Sequence, residues 1–298
     1  MPSLREQLNQ VKERDTQSRG SAPEDRGGRV SSFPRPLEAV PWTLPIERFS
    51  ASSLSLFQEC PRAWQNRYLL KKEEPANERQ ILGSAFHAAM AFNWNAKYLT
   101  EKDLPVTSVV EFFHDQAWPL AKQDTKKIIW NKGEEDQKNM GARLLESYIP
   151  KVPHIDPEFT ELPIILELEE IPVPIKGYVD CVQKGNLPII DLKTAARAIT
   201  APKPRWKIQG WVYQLALEKP LEWHIVTKTK TPELIVLPES KPTEYARLHL
   251  TYLAHLANWL YNVHGLENPW PATGIGHDWV CKSCFYRTDC PAWAKGGK

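Results

Sequence analysis

The sequence has no apolar run long enough to cross a bilayer, and it does not open with the short apolar segment of a secretory leader. Both absences point to a soluble, intracellular protein. Net charge is small: 38 basic against 36 acidic side chains leave +2. A general polycation is thereby excluded, and any nucleic-acid contact has to come from a local patch. Cysteine is scarce and odd in number, five in 298 residues. Outside a secretory context that argues against a disulfide scaffold. What the chain does hold in quantity is tryptophan. Twelve exceed the needs of a core this size; packing explains most, and base stacking is the alternative for some.

Residues 1–45 read as a disordered or loosely docked tail. Lys12 to Val30 is charged and rich in glycine and serine, and Ser31 to Pro45 is studded with proline. A single domain is expected over 46–298. Its first part, 46–160, reads as helical: serines 50–55 offer N-caps to an apolar run, and Phe86, Met90 and Trp94 recur every four residues between Ser84 and Leu99. The part 161–240 reads as α/β. Strands are expected over Ile164–Ile171, Ile175–Gln183, Pro188–Lys193, Glu222–Thr227 and Glu233–Leu237, with a helix near Pro204–Glu218. In 241–298, a helix over Thr243–Val263 carries Tyr245, Leu248, Tyr252, Leu256, Trp259 and Val263 on one stripe, followed by an irregular cysteine-rich end.

The chemistry concentrates in Gly177-Tyr178-Val179-Asp180 and Ile190-Asp191-Leu192-Lys193. Strand alternation puts Asp191 and Lys193 on one face and Ile190 and Leu192 on the other, with Asp180 alongside on the preceding strand. Two carboxylates and a lysine on one sheet face ask for a cation, and oxygen ligands suit Mg²⁺ or Mn²⁺, whose waters can attack phosphorus. The plain alternative is a turn aspartate and a surface ion pair. Gln209 and Tyr213 share a helix face, a spacing that is common on any helix. His87, at the start of its helix, is either a satisfied polar residue or a nitrogen ligand favouring Mn²⁺. Glu167 and Glu169 face one side of a strand, toward the metal or toward solvent. Arg197, Lys203, Arg205 and Lys207, with Trp206 among them, form either a path for a phosphate backbone and a stacked base or a solvated loop.

Cys281, Cys284 and Cys290 follow a C-x2-C-x5-C spacing, and Cys60 lies far upstream. Together they could hold Zn²⁺ or a 4Fe–4S cluster, and spacing alone favours zinc. Cys181 points away from Asp180 and reads as a core residue.

In this order the motifs resemble the RecB-like branch of the PD-(D/E)XK nuclease superfamily, as in CRISPR-associated RecB-type exonucleases and AddB-type nuclease domains. They run from Ser52-Ser53-Leu54-Ser55-Leu56-Phe57-Gln58-Glu59-Cys60-Pro61-Arg62-Ala63-Trp64 through Gly83-Ser84-Ala85-Phe86-His87, Gly177–Asp180, Ile190–Thr194 and Gln209-Gly210-Trp211-Val212-Tyr213 to Cys281, Cys284 and Cys290. The resemblance implies a restriction-endonuclease-like α/β core: a mixed central sheet flanked by helices, a helical N-terminal part and a C-terminal iron–sulfur element. It implies His87, Asp180 and Asp191 as metal ligands, with the Leu192 carbonyl beside them. Lys193 becomes the catalytic lysine, and Gln209 and Tyr213 support the site and the DNA. It also reverses the preference for zinc: Cys60, Cys281, Cys284 and Cys290 match the ligands of a 4Fe–4S cluster. The implied activity is metal-dependent hydrolysis of DNA, single-stranded or with free ends, by an exonuclease of recombination, repair or CRISPR-type processing in the cytoplasm of a bacterial, archaeal or phage-infected cell. No P-loop is present, so a motor would come from a helicase or from a recombination or adaptation partner, and no membrane is involved. The rival reading is a DNA-binding or partner-recruiting subunit with little activity of its own.

Overall fold

The computed structural model describes residues 40–123, 125, 127–273 and 278–293. Most of the expected tail lies outside the described residues. Residues 40–45 pack down: Leu44 is buried and Trp42 lies against the core. Asn258 holds this strap, its Oδ1 accepting from the Thr43 and Leu44 N–H groups at 2.9 and 3.0 Å while its Nδ2 donates to the Pro41 carbonyl.

Strand β1 (Phe49–Ser50) leads into helix α1 (Ala51–Glu59), where Ser50 and Ser53 cap each other reciprocally. Cys60 is extended and ends the helix, and Pro61 restarts it as α2 (Pro61–Trp64), continued by a π-turn at Gln65–Leu69. After β2 (Ala76–Asn77), helix α3 (Glu78–Thr100) begins earlier than its apolar spacing predicts, because Asn77 and Gln80 form a second capping box. Phe86, Met90 and Trp94 fill the core as expected. Helices α4 (Val106–Phe112) and α5 (Trp118–Gln123), strand β3 (Ile128–Ile129) and helix α6 (Glu134–Tyr148) follow. Then come β4 (Pro157–Leu166), β5 (Ile175–Gln183), β6 (Ile189–Ala195), α7 (Pro204–Leu217), β7 (Leu221–Thr227), β8 (Leu234–Glu239), α8 (Glu244–His264) and the short α9 (Asp278–Lys282). Among the described residues no helix is long and apolar enough to cross a membrane.

The sheet is mixed, as expected. Strand β5 pairs antiparallel with β4 along its length, parallel with β1 at its first two residues, and antiparallel with β6 only at Cys181↔Ile190. Strand β7 lies parallel to β6 across the α7 crossover, and β8 returns antiparallel. One sheet face packs on α1, α7 and α8 through residues such as Leu54, Phe57, Val212 and Leu250. The other carries Cys181, Ile190, Leu192 and Val226 against α3 to α6.

One expectation is corrected. The strand expected at Ile164–Ile171 is β4, Pro157–Leu166; among the described residues it pairs only with β5, and an edge strand tolerates the prolines at 157 and 163 that disguise it. Glu167 and Glu169 fall beyond its end and face solvent. The aromatic stripe of α8 points outward, with Tyr245 and Val263 more than half exposed, whereas Ala246, Leu250, Ala254 and Ala257 face the core. Small side chains let α8 approach α1 and α7 closely, so the bulky residues are left outside.

Gln65 is fully buried and uses its whole amide: Oε1 accepts from Trp270 N–H and Arg62, and Nε2 donates to the Leu266 and Asn268 carbonyls. It thereby ties the segment after Cys60 to the segment that leads to the other cysteines. Gln65→Leu leaves those backbone groups without partners, and we expect a loss of about 2–4 kcal/mol in a denaturant titration of the full chain. A loss below about 1 kcal/mol would mean that water replaces the amide.

Candidate active site

After their single registered pair, β5 and β6 diverge, and Asp180 stands in the opening. Its Oδ2 accepts the Leu192 N–H at 2.6 Å, and its Oδ1 lies 2.9 Å from His87 Nδ1. The Leu192 side chain turns away into the core between the sheet and α3. On the other side of β5, the flanking pairs Thr160↔Cys181 and Leu162↔Val179 set Glu161 opposite Asp180. Glu161 has φ +48°, a left-handed conformation that is strained for a glutamate within a strand. Donor atoms of His87, Glu161 and Asp180 all lie within 4.8 Å of one another. Glu161 was missed in the sequence, where the proline-flanked start of β4 hides its alternation. Its one local signal is the acidic residue set within Phe159, Leu162 and Ile164.

Asp191 and Lys193 share a face, as predicted. Asp191 is 0% exposed; its Oδ2 is paired with the Lys193 ammonium, and its Oδ1 has no hydrogen-bond partner among the described residues. Lys193 Nζ lies 5.8 Å from the centre of the Trp223 ring. Gln209 Nε2 donates to the Tyr213 hydroxyl. Gly177 explains the first position of its motif: a Cβ there would come within 2.7 Å of the Tyr213 ring, so glycine lets that ring press against β5.

The crowding of carboxylates shifts their titration. Burial, then the Asp180 charge, pushes Glu161 up to about 7. Burial first, with Asp180 adding to it and Lys193 opposing, raises Asp191 to about 6. Burial would also raise Asp180, but His87, Lys193 and the Leu192 N–H together hold it below the ordinary range. His87 loses basicity by burial and regains more from Asp180, so its pKa is raised. Burial, then Asp191 and Asp180, drives Tyr213 well above the usual phenol value.

From His87 and Lys193 a cleft of about 560 Å³ runs past Lys203, Arg205 and Trp206 to all four predicted cluster cysteines. Arg197 and Lys207, placed in the same basic path by the sequence, do not line it. Trp206 is not an open platform for a base. It is buried, stacked on Trp223 with centroids 6.1 Å apart, and covered by the Lys203 ammonium at 5.1 Å. None of the five cysteines is in a disulfide. Cys284 has its pKa raised by burial and, further, by the neighbouring Cys60, Cys290 and Cys281 thiols; Cys181 is core, as expected.

The model of the PD-(D/E)XK nuclease superfamily matches residues 48–291. No curated protein matches the sequence. Among solved structures, a Eubacterium rectale protein provisionally named an exonuclease is 14% identical, covering 91% of this chain and 97% of that one, with a TM-score of 0.49. The crystal structure of SSO0001 is also 14% identical, covering 85% and 90%, with a TM-score of 0.43. The family match begins before β1 and ends after Cys290, so it takes in the opening between β5 and β6, the α7 pair and the thiols together: the chain belongs to the PD-(D/E)XK nuclease superfamily.

Proposed function

We propose that the chain is a divalent-metal-dependent deoxyribonuclease, an exonuclease on single-stranded or free-ended DNA, that also carries a 4Fe–4S cluster. The observation behind the first part is Asp191, a fully buried carboxylate whose Oδ2 is paired with Lys193 while its Oδ1 has no partner among the described residues. A buried charge so placed is costly unless a cation completes its surroundings. His87, Asp180 and Asp191, with Glu161 as an addition, form a mainly oxygen donor set, which fits Mg²⁺ or Mn²⁺; the imidazole tilts the choice to Mn²⁺. Bound there, the cation would acidify a water and neutralise phosphate charge.

The protein's own groups do the rest. The Leu192 N–H and His87 fix the Asp180 carboxylate, and the Leu192 carbonyl is assigned to the ligand set by resemblance. Lys193 steadies the attacking water and the charge that grows on phosphate. Gln209 orients the Tyr213 hydroxyl beside the acidic centre. Lys203 and Arg205 flank the cleft for the phosphate backbone, leaving Arg197, Lys207 and Trp206 with weaker support. Exonuclease action, a role in recombination, repair or CRISPR-type processing, and a helicase or adaptation partner follow from the RecB-like resemblance alone.

For the cluster, the support is the gathering of Cys60, Cys281, Cys284 and Cys290 as free thiols at one end of the cleft. Tetrahedral zinc, with Zn–S near 2.3 Å, would draw its sulfurs to about 3.8 Å apart. Among the described residues the one group of three metal-binding atoms within 4.8 Å is His87, Glu161 and Asp180, and it contains no thiol. The choice of a cluster over zinc rests on the RecB-like resemblance.

On end-labelled single-stranded DNA with Mn²⁺ or Mg²⁺, we expect Asp191→Ala and Lys193→Ala each to slow cleavage by about 10²-fold or more. Full cleavage by Asp191→Ala would sink the site assignment. Because the cation needs ionised carboxylates and a neutral His87, with Asp191 raised to about 6, Glu161 to about 7 and His87 raised above its ordinary value, Mn²⁺ affinity should climb as pH rises through 6 and 7 and level off only once His87 is neutral. Calorimetry in buffers of different ionisation enthalpy should show proton release near pH 6 and little near pH 8.5; release independent of pH would contradict this. Anaerobically purified protein should be brown with about four iron atoms per chain, and Cys60→Ser and Cys290→Ser should lose the colour. A colourless, zinc-containing wild type would rule the cluster out.

A further inference from the structure

Beyond the acidic centre, the cleft carries a cluster of cations of which only Lys203 belongs to the proposed phosphate-backbone path. Arg79 in the first turn of α3, Lys203 at the entry to α7 and Lys228 just past β7 all line the cleft. Arg79 and Lys228 also border the adjoining hollow, together with Lys132 and Arg143. Among the described residues none of the three is in an ion pair. Glu59 acts on Lys203 and Glu78 on Lys228, and Asp136 and Glu146 border the adjoining hollow, but none of these acids forms an ion pair with the three among the described residues. The Glu78 carboxylate is taken up by the Asn131 and Lys132 N–H groups at 2.7 and 2.9 Å. Burial raises the pKa of Glu59 even against Arg205 and Lys203.

Both lysines are held in place. Lys203 is seated over the Trp206 ring. Lys228 Nζ lies 3.2 Å from Thr194 Oγ1, and its backbone N–H donates to the Ala195 carbonyl at 2.6 Å. Thr194 directly follows Lys193, so Lys228 is anchored one residue from the proposed catalytic lysine. Burial, then repulsion from Arg79 and Lys203, lowers Lys228 to about 8, and burial, then Arg205 and Arg79, lowers Lys203. Two partly desolvated lysines facing an exposed arginine, none of them in an ion pair, are a site for an external anion.

We infer that Arg79, Lys203 and Lys228 form a pocket for the terminal phosphate monoester of a DNA strand, beside the position where the chain is cut. The identity of the ligand rests on the nuclease reading. A backbone diester brings one negative charge and an end phosphate brings about 1.5–2 at neutral pH, so three cations match the end of a strand better than its interior. Arginine supplies a fork for two phosphate oxygens, and the lysines add point charges. Such a pocket would make the protein sense how a strand ends.

The test uses the full chain in EDTA, so that nothing is cut. Anisotropy would compare short single-stranded oligonucleotides ending in a 5′-phosphate, a 3′-phosphate or hydroxyls only. One phosphorylated end should bind about tenfold more tightly than the hydroxyl-ended strand. Arg79→Ala and Lys228→Met should each remove most of that gain, and Lys228→Arg should keep it. Arg79 is exposed, so its variant also serves if Lys228→Met proves unstable. Equal affinity for all three ends, or a preference that survives in both variants, overturns the pocket. Cleavage with Mn²⁺ is scored separately on wild type. Cutting without an end preference rejects the pocket and keeps the nuclease, whereas an end preference without cutting keeps the pocket and rejects the nuclease.

Discussion

One hydrogen bond, from the Leu192 N–H to Asp180 Oδ2, holds the edges of β5 and β6 at the point where their ladder stops. Had the two strands zipped further, the sheet would be continuous there and the acidic groups would have no space between them. The side chain occupies the place of a backbone acceptor, so the opening has its donor satisfied rather than orphaned. Everything polar in the centre is arranged around that substitution. His87 arrives from α3, Glu161 from β4, and Asp191 and Lys193 from β6 on the far side.

The arrangement stores electrostatic strain. Three carboxylates, one imidazole and one ammonium are packed together, Asp180 and Asp191 buried and His87, Glu161 and Lys193 partly so, and the raised pKa values of Glu161 and Asp191 register the cost. The core on both faces supplies the rigidity that keeps these groups from swinging apart. Leu192 and Ile190 anchor β6 on one side while Trp223 and Tyr213 wall it on the other. Stability spent in this way is typical of sites shaped for a ligand.

How much of this could be read beforehand depends on the kind of signal. The strands bearing Asp180 and Asp191 were legible because apolar and polar residues alternate with period two, and the structure does send Ile190 and Leu192 to one core and Asp191 and Lys193 to the opposite face. The mixed sheet between helical layers was legible for the same reason. Glu161 was not, because an edge strand with two prolines and a left-handed residue has no clean alternation. The outward stripe of α8 misleads in another way: hydrophobicity marks a face but not which way it turns, and the closeness of α1 and α7 selected the alanine side. Trp206 looked like a base platform in a basic stretch because composition cannot reveal that Trp223 and Lys203 occupy its faces.

The gathering of Cys60 with Cys281, Cys284 and Cys290 also has a consequence in time. A ribosome releases the first thiol more than two hundred residues before the second, a delay of roughly ten to forty-five seconds at about 5–20 residues per second. Throughout that interval Cys60 has none of its three companions, and the buried amide of Gln65 has no Leu266, Asn268 or Trp270 to bind. The strands that carry the acidic centre emerge well before this corner can close. A chain stopped just before Leu266 would therefore contain every acidic residue of the centre and still lack the partners of Gln65 and three of the four gathered thiols, so the acidic centre and this corner become complete at different times.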